Sequence, residues 1–338
     1  KRQDSKLKTM ASKHQNTVLL HTNDFENCWE GNFCLPGEKK PFTGTLEVSP
    51  DKNPFNLKSV LSHRMNFKDG ERHGVYEEFH QNGKLRLRER YKDGERDGFS
   101  ERFDENGNLR ERRHYKDGQC HGVREKFYKN GKLRLRERFK DDQRQGIREE
   151  FYENGKLRLM TPYEGGQLHG VHKGFYENGN LKERCHYIFG WIAVCYEEFF
   201  KNGNLRVRER YKNCKLDGVS EGFYENGNLQ YRHHYKNDNL HGGWEWFYKN
   251  GNLRERRHYK DGQCHGVHAE FYENGKLQLK THYEDGLFHG VSEEFYKNGK
   301  LRYREHFKND QRHGVCEGFY ENGNLQYGHH YKKGKIQN

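Results

Sequence analysis

The sequence predicts an all-β fold, an elongated, twisted, single-layer antiparallel β-meander built from 24-residue hairpin repeats. Three observations predict it: Asn-Gly pairs recur at a constant spacing, each repeat contains two short runs of β-propensity, and turn signals separate the runs. The glycines of these pairs, 24 residues apart, are Gly83, Gly107, Gly131, Gly155, Gly179, Gly203, Gly227, Gly251, Gly275, Gly299 and Gly323. An unbroken period of this length indicates one supersecondary unit repeated in series, without an active-site cleft.

Each repeat reads Gly-Val-x-Glu-x-Phe-Tyr, Asn-Gly, Leu-Arg-x-Arg-x-x-Tyr and Lys-Asp-Gly, or a relative of these segments. A three-residue Asn-Gly loop with a left-handed glycine is preferred to a two-residue loop, because it pairs Phe79 with Leu85. Side chains alternate between the two faces of a strand, and paired residues share a face. If this parity continues through Lys-Asp-Gly, one face carries Val75, Glu77, Phe79, Leu85, Leu87 and Tyr91. The other face then carries Arg86, Arg88 and Arg90, their equivalents, and the column Tyr128, Tyr152, Tyr176, Tyr224, Tyr248, Tyr272, Tyr296 and Tyr320.

The chain is predicted to have three parts. Residues 1–40 form an N-terminal extension or cap, in which Phe25, Trp29 and Phe33 could pack together. Residues 41–70 form a degenerate first repeat with about six extra residues around Pro50 and Pro54. Residues 71–338 form eleven 24-residue repeats. A distorted first repeat suits a terminal cap, because a repeat array must end in a unit that does not invite another.

Composition limits the classes of function. Only 31% of the residues are hydrophobic, but 14% are aromatic, which excludes a disordered polyelectrolyte. The net charge of +12 comes from 62 basic and 50 acidic residues that alternate through the repeats, which disfavours nucleic acid as the main partner. The eight cysteines form no Cys-x-x-Cys pair, so we expect reduced thiols in an intracellular compartment. No apolar run suits a membrane span or a secretory signal.

The sequence gives no sign of catalysis, of a cofactor or of a metal site. No Gly-x-Ser-x-Gly, phosphate-binding loop, His-Glu-x-x-His or dinucleotide-binding glycine pattern occurs, and the candidate acids and thiols are either copied many times or isolated on loops. Two histidine columns, which begin at His73 and His114, could form a metal ladder, but duplication explains them without any ligand. We therefore expect a protein that is not an enzyme.

Arginines also recur at one position of the repeat, and their recurrence has two possible interpretations. They could be solvated ladder charges, paired with the recurrent glutamates, that keep a long sheet soluble. They could instead form a basic face for phosphates, anionic lipids or an acidic partner. The candidate residues of this basic face are Arg88, Arg112, Arg136, Arg208, Arg256 and Arg304.

One repeat departs from its sisters at residues 187–200, YIFGWIAVCYEEFF. Where the others carry Lys-Asp-Gly-Gln, this repeat has large apolar residues. The change could reflect local packing, for instance against the N-terminal cluster, or an anchor for another chain. The candidate partner-binding residues are Ile188, Phe189, Trp191 and Ile192.

The repeat Gly-Val-x-Glu-x-Phe-Tyr-x-Asn-Gly-x-Leu, with Tyr-x-x-Gly after it, resembles the MORN-type repeats over residues 41–338. It is most similar to the MORN-like variant of bacterial antitoxin-component repeat proteins and of large DNA viruses of amoebae. The resemblance implies a non-catalytic scaffold for protein–protein interaction, as a structural component associated with the capsid of a large virus particle. A peripheral binder of anionic membrane lipid is the alternative. Val194, Cys214 and Asp238 depart from the pattern, because a glycine is expected at each.

Overall fold

The computed structural model describes residues 17–21, 33–35, 38, 40–49 and 61–337. The chain forms two compact units, residues 1–167 and 168–338. Among the described residues all regular secondary structure is strand, which confirms the predicted all-β meander of hairpin repeats. None of the described segments is a helix long and apolar enough to cross a membrane. The predicted cap residues Phe25 and Trp29, and the insertion around Pro50 and Pro54, lie outside the described residues.

The strands of the first unit follow one another with short connections. They are β1 (Thr17–His21), β2 (Gly44–Ser49), β3 (His63–Lys68), β4 (Glu71–Phe79), β5 (Leu85–Lys92), β6 (Glu95–Arg96), β7 (Gly98–Phe103), β8 (Leu109–Lys116), β9 (Gln119–Phe127), β10 (Leu133–Lys140), β11 (Gln143–Arg144), β12 (Gly146–Phe151) and β13 (Leu157–Glu164). The next strand is β14 (Gln167–Leu168).

The second unit continues the same alternation. Its strands are β15 (Gly170–Phe175), β16 (Leu181–Ile188), β17 (Trp191–Phe199), β18 (Leu205–Lys212), β19 (Lys215–Leu216), β20 (Gly218–Phe223), β21 (Leu229–Lys236), β22 (Asn239–Phe247), β23 (Leu253–Lys260), β24 (Gln263–Cys264), β25 (Gly266–Phe271), β26 (Leu277–Glu284), β27 (Leu287–Phe288), β28 (Gly290–Phe295), β29 (Leu301–Lys308), β30 (Gln311–Arg312), β31 (Gly314–Phe319), β32 (Leu325–Lys332) and β33 (Lys335–Gln337).

The Asn-Gly segments form the predicted three-residue hairpin loops. In the loop between β4 and β5, the N–H of His80 donates to the carbonyl of Lys84 at 2.8 Å, and the N–H of Gly83 donates to the carbonyl of His80 at 2.8 Å. Gly83 has a φ of 79°, a left-handed conformation that glycine adopts without a Cβ clash. Phe79 pairs with Leu85, as the parity argument predicted. These loops form what we call the loop edge of each sheet.

The opposite edge, here called the turn edge, is made of two-residue turns. Between β5 and β6, Lys92 pairs with Glu95, which leaves Asp93 and Gly94 as the turn residues. Their φ angles are 47° and 84°. Positive φ at both positions defines a type I′ turn, whose twist matches that of the flanking strands.

The predicted distribution of side chains between the two faces is wrong, because a bulge follows each Asn-Gly loop. Phe79 pairs with Leu85, but Glu78 pairs with Leu87, so Arg86 is an extra residue. From there on, odd positions of β5 share a face with even positions of β4. The two-residue turn keeps this relation, so Val75 and Glu77 do not share a face with Leu87 and Tyr91, contrary to the prediction.

Each face therefore carries both apolar and charged side chains. One face carries Tyr76, Glu78, Leu87, Glu89 and Tyr91, and we call it the buried face; Tyr76 and Glu89 are 8% and 3% exposed. The exposed face carries Val75, Glu77, Arg88 and Arg90 and their equivalents. The Val75 column was expected to be core, but its members Phe99, Ile147, Val171, Val267, Val291 and Val315 are exposed.

Side chains at the loop edge join each repeat to the next. The Tyr128 hydroxyl donates to the carbonyl of Phe151 at 2.6 Å, and Asn130 Nδ2 donates to the carbonyl of Glu153 at 3.2 Å. In the second unit, the same tyrosine contact, at 2.7 to 2.9 Å, starts from Tyr176, Tyr224, Tyr248, Tyr272 and Tyr296. The tyrosine column is thus placed at the loops rather than among the arginines. Because an isolated hairpin is marginal in water, these contacts between repeats stabilise the sheet.

The first unit begins with a small apolar core. β1 lies parallel to β2, with Val18 opposite Leu46. Phe33 is buried and stacks on Phe67 with ring centroids 4.7 Å apart. The cluster also contains Phe42, Val48, Met65 and Tyr76. These side chains pack beside β3, the first strand of the regular meander, and so cover the N-terminal end of the meander.

Candidate interaction surfaces

The apolar turn, defined as Ile188, Phe189, Trp191 and Ile192, projects from the turn edge of the second unit. Ile188 pairs with Trp191, so Phe189 and Gly190 are the two turn residues. Trp191 is 67% exposed, Phe189 56% and Ile188 42%, whereas Ile192 is partly buried. The structure thus brings the four predicted residues together and leaves three of them largely in solvent.

The backbone of this turn is strained. Phe189 has a φ of 44°, in a region where a bulky side chain is an outlier and costs about 1–3 kcal/mol. At the same position other repeats carry Asp93, Asp117 or Asn213, residue types that tolerate this conformation. The Phe189 ring contacts His169 with centroids 4.8 Å apart, but more than half of its surface stays exposed.

Val194, next to the apolar turn, replaces a glycine and changes the strand. The equivalent glycines, such as Gly218 and Gly242, have φ angles of 116° and 96°. Val194 does not adopt a positive φ, and pairing between β17 and β18 begins one residue later, at Cys195 with Arg210. Val194 is 51% exposed and extends the apolar surface of the turn. Cys214 and Asp238, the other two departures, keep left-handed φ angles of 62° and 68°.

The arginines of the proposed basic face lie opposite glutamates on the exposed face. In the first unit, Arg88 contacts Glu77 at 3.1 Å, and Arg112 and Arg136 make the same contact with the glutamate eleven residues before them, at 2.9 and 3.3 Å. In the second unit, Arg208 contacts Glu197 at 3.1 Å, Arg304 contacts Glu293 at 3.0 Å, and Arg256 faces Glu245 across the strand pair. Acidic and basic groups therefore alternate along this column. The arginine ends of these pairs are open to solvent, whereas the glutamates are largely buried, as in the pair of Arg208 and Glu197, whose side chains are 41% and 8% exposed.

Histidines of the His73 column contact the turn of the following repeat. His73 Nδ1 lies 3.3 Å from Asp93 Oδ1, and His121 Nδ1 lies 3.2 Å from Asp141 Oδ1. In the other column, His114 Nδ1 lies 2.8 Å from the carbonyl of His121. These contacts give the three histidines a structural role at the turn edge.

An aromatic cluster on the buried face of the second unit was not predicted. His233 stacks on Trp244 with centroids 5.0 Å apart, and Tyr231 and Trp246 complete the cluster. Burial, followed by the neighbouring His234, lowers the pKa of His233 to about 4. A sequence signal was present, since Trp244 and Trp246 are two of only four tryptophans. The incorrect assignment of faces concealed that Tyr231 and His233 lie beside them.

One group of side chains has the composition and spacing of metal ligands. Glu255, His268 and Glu270 have ligand atoms that all lie within 4.8 Å of one another. No metal site was predicted, because Glu255 lies thirteen residues before His268 and only strand pairing brings them together.

The repeated hairpins and their variable turn edge define the chain as a repeat scaffold. The family model for the MORN repeat variant matches it eleven times, and the chain belongs to this family. The matched residues are 72–93, 96–117, 121–141, 144–164, 168–188, 194–213, 216–237, 240–261, 265–285, 288–309 and 312–333. Repeats of this family are generally scaffolds for interactions with proteins or membranes and are typically non-catalytic. A comparison with curated proteins gives no significant match.

Proposed function

We propose that this chain is a non-catalytic scaffold that binds another protein through the apolar turn. The observation that carries the proposal is the exposure of Phe189 and Trp191 at a turn where the sister repeats present charged residues such as Asp93 and Glu95. Large side chains that are exposed on a soluble protein in this way usually mark an interface, and tryptophan is enriched among residues that dominate binding energy.

The strain at Phe189 supports the same proposal. A phenylalanine at this position raises the free energy of the folded chain through its left-handed backbone, and its ring, which is 56% exposed, regains little of that cost by burial. Asp or Asn tolerates this backbone, and most of the other repeats have one of them here. A residue that is unfavourable in the isolated chain is explained when a partner covers it.

Solvent access to Trp191 tests the proposal. Hydroxyl-radical footprinting of the isolated chain and of the assembled state should show Trp191 protected only after assembly, with Trp244 as an internal reference. Trp191→Glu introduces glutamate, which another repeat carries at the equivalent position, Glu95. This variant should release the partner. Leu287→Glu is the matched control, because Leu287 is an exposed apolar residue at the same position of another repeat. Equal retention of the partner by both variants would contradict the proposal.

An alternative proposal is peripheral binding to anionic lipid through the arginine column. The net charge of +12 and the repeated spacing of the arginines favour it, whereas the glutamate beside each arginine weakens it. Vesicles that contain phosphatidylserine should then bind the chain with an affinity that falls steeply with salt, whereas binding through the apolar turn should vary little. Charge reversal at Arg88, Arg112 and Arg136 should abolish lipid binding and leave the apolar turn unaffected.

The resemblance to repeats of large DNA viruses extends the proposal to a structural, capsid-associated role. In that case the partner of the apolar turn is a capsid protein, and the chain co-purifies with assembled particles. We also propose an intracellular, reducing environment, which the free thiols of Cys120, Cys185, Cys195, Cys214, Cys264 and Cys316 suit. Loss of the chain from purified particles after a mild wash would contradict the capsid role.

A further inference from the structure

The inference concerns the buried face of the second unit, at β23 and β25, where Glu255 pairs with Glu270. His268 precedes Glu270 by two residues, so the two side chains share a face. His268 Nε2 lies 3.0 Å from Glu255 Oε1 and 3.3 Å from Glu270 Oε1. The His268 side chain is only 5% exposed, whereas those of Glu255 and Glu270 are 14% and 35% exposed. One imidazole and two carboxylates therefore converge on a point that solvent reaches from the side of Glu270.

A second copy of the same strand shows what occupies the equivalent point in another repeat. β8 and β23 have the identical sequence LRERRHYK, so Glu111 and Arg113 correspond to Glu255 and Arg257. Beside β8, however, the partner strand carries Arg124 and Lys126 where the partner of β23 carries His268 and Glu270.

In that sister site, cations of the chain itself surround the carboxylate. Arg124 Nε donates to Glu111 Oε1 at 2.8 Å, Arg113 Nε donates to it at 2.9 Å, and Lys126 Nζ lies 3.9 Å away. Although burial opposes ionisation, the guanidinium groups of Arg124 and Arg113 lower the pKa of Glu111. One carboxylate thus faces three cations.

At Glu255 the balance of charge is reversed. Arg257 Nε still donates to Glu255 Oε1 at 2.7 Å, but two carboxylates now face this single cation and one imidazole. The imidazole of His268, whose Nε2 lies against both carboxylates, supplies a nitrogen donor at the centre of this group.

We propose that Glu255, His268 and Glu270 form a binding site for a divalent transition-metal ion of the zinc class. Zn²⁺ binds imidazole nitrogen and carboxylate oxygen at about 2.0–2.2 Å, and the ligand atoms of such a tetrahedron are separated by roughly 3.4 Å. The distances from His268 Nε2 already approach this value. The presence of an imidazole among the ligands favours Zn²⁺ over Mg²⁺ or Ca²⁺, which prefer sites made of oxygen atoms alone.

In the bound state His268 carries its proton on Nδ1 and presents the Nε2 lone pair to the metal ion. Glu255 Oε1 keeps the hydrogen bond from Arg257 Nε, which orients the carboxylate beside His268 Nε2. Water fills the fourth position on the side of Glu270. The ion links β23 to β25 and so stabilises this part of the second unit. The site is independent of the apolar turn.

The sister repeats provide the test, with the full chain in a reducing buffer and Zn²⁺ as the probe. His268→Arg with Glu270→Lys converts the site into its sister, and calorimetry should show one equivalent of Zn²⁺ lost. The reciprocal exchange, Arg124→His with Lys126→Glu, should add one equivalent. Both exchanges use residues that the same position already accommodates in this chain, and circular dichroism checks that each variant folds. The cysteines contribute the same background in all three proteins.

Two further measurements make the result specific. Glu270→Gln should weaken this site at least about 10-fold while it keeps the shape of the side chain. Co²⁺ should give visible absorption bands in the parent that the sister-like variant lacks, and the difference spectrum should show no thiolate-to-metal charge transfer. The same Zn²⁺ stoichiometry in the parent and in both exchanged variants, or a difference spectrum with thiolate bands, overturns the proposal.

Discussion

The two edges of the sheets are built from different turns and tolerate sequence change differently. At the loop edge the second and third loop residues are Asn and Gly in each of the eleven repeats. At the turn edge the second turn residue is Gly94 in one repeat but Asp142 or Cys214 in others, and the first is Phe189 in one. The loop edge is therefore uniform, whereas the turn edge is variable.

The contacts at each edge explain the difference. Asn130 at the loop edge closes its own loop, by accepting from the N–H of Lys132 at 3.0 Å, and also donates to Glu153 of the next repeat. A change there disturbs two repeats. At the turn edge a substituted residue can supply its own compensation, as Asp142 does when its Oδ1 accepts from the N–H of Cys120 at 2.8 Å. New surface properties, such as those of the apolar turn, therefore arise at the turn edge.

The largest effect is expected for Gly131→Val at the loop edge. Gly131 has a φ of 80°, and a Cβ there would meet nothing within 4 Å, so the cost comes from the backbone alone. A β-branched residue resists this conformation, and we expect a loss of about 2 kcal/mol in the free energy of unfolding. Urea unfolding, with hydrogen exchange at β9 and β10, measures it.

Gly131→Asn is the matched control, because asparagine tolerates a left-handed backbone. The loss should be less than half that of the valine variant. Equal losses would mean that the loop depends on something other than φ at this position.

The loops illustrate what the sequence allowed us to predict. The constant Asn-Gly spacing and the parity of Phe79 and Leu85 correctly predicted the hairpin and its three-residue loop. The faces were not predicted, because a bulge at Arg86 adds a residue without any change in composition. Alternation of apolar and polar residues could not reveal it, since the buried face itself carries charged side chains such as Glu89.

The candidate sites also divide into one that the sequence predicted and one that it did not. The apolar turn was predictable because its residues are neighbours in sequence, and no other repeat carries large apolar residues at the positions of Ile188 and Phe189. The group of Glu255, His268 and Glu270 was not, because its members lie on two strands whose register depends on the unpredicted bulge. Residues joined only by strand pairing require the register before their chemistry can be inferred.

The next largest effect is expected at the apolar turn, for Phe189→Asn. Asparagine occupies this position at Asn213 with a φ of 51°, so the substitution removes strain and an exposed ring together. We expect the free energy of unfolding to rise by about 1.5 kcal/mol. Thermal unfolding followed by tryptophan fluorescence measures the gain, and partner binding should weaken in the same variant. Destabilisation would show that the Phe189–His169 contact outweighs the strain.

A smaller loss is expected for Asn130→Ala. The variant loses both hydrogen bonds of the Asn130 side chain, and because the loop is exposed we expect about 1 kcal/mol in total. Asn106→Ala is the control, because Oδ1 of Asp104 accepts from the N–H groups of Asn106 and Asn108 at 3.0 and 2.9 Å and holds that loop. Similar losses from the two variants would rule out this explanation of the uniform loop edge.

The smallest effect is a gain from Cys214→Gly at the turn edge. Cys214 has a φ of 62°, and Asn-Gly is the preferred type I′ pair, so we expect the free energy of unfolding to rise by between about 0.5 and 1 kcal/mol. Asp142→Gly relieves a φ of the same 62° but removes the hydrogen bond from Cys120 N–H, so its two effects should nearly cancel. Paired urea titrations of the two variants decide the matter. If both variants gain equally, the Asp142 carboxylate contributes nothing and the turn edge tolerates change for another reason.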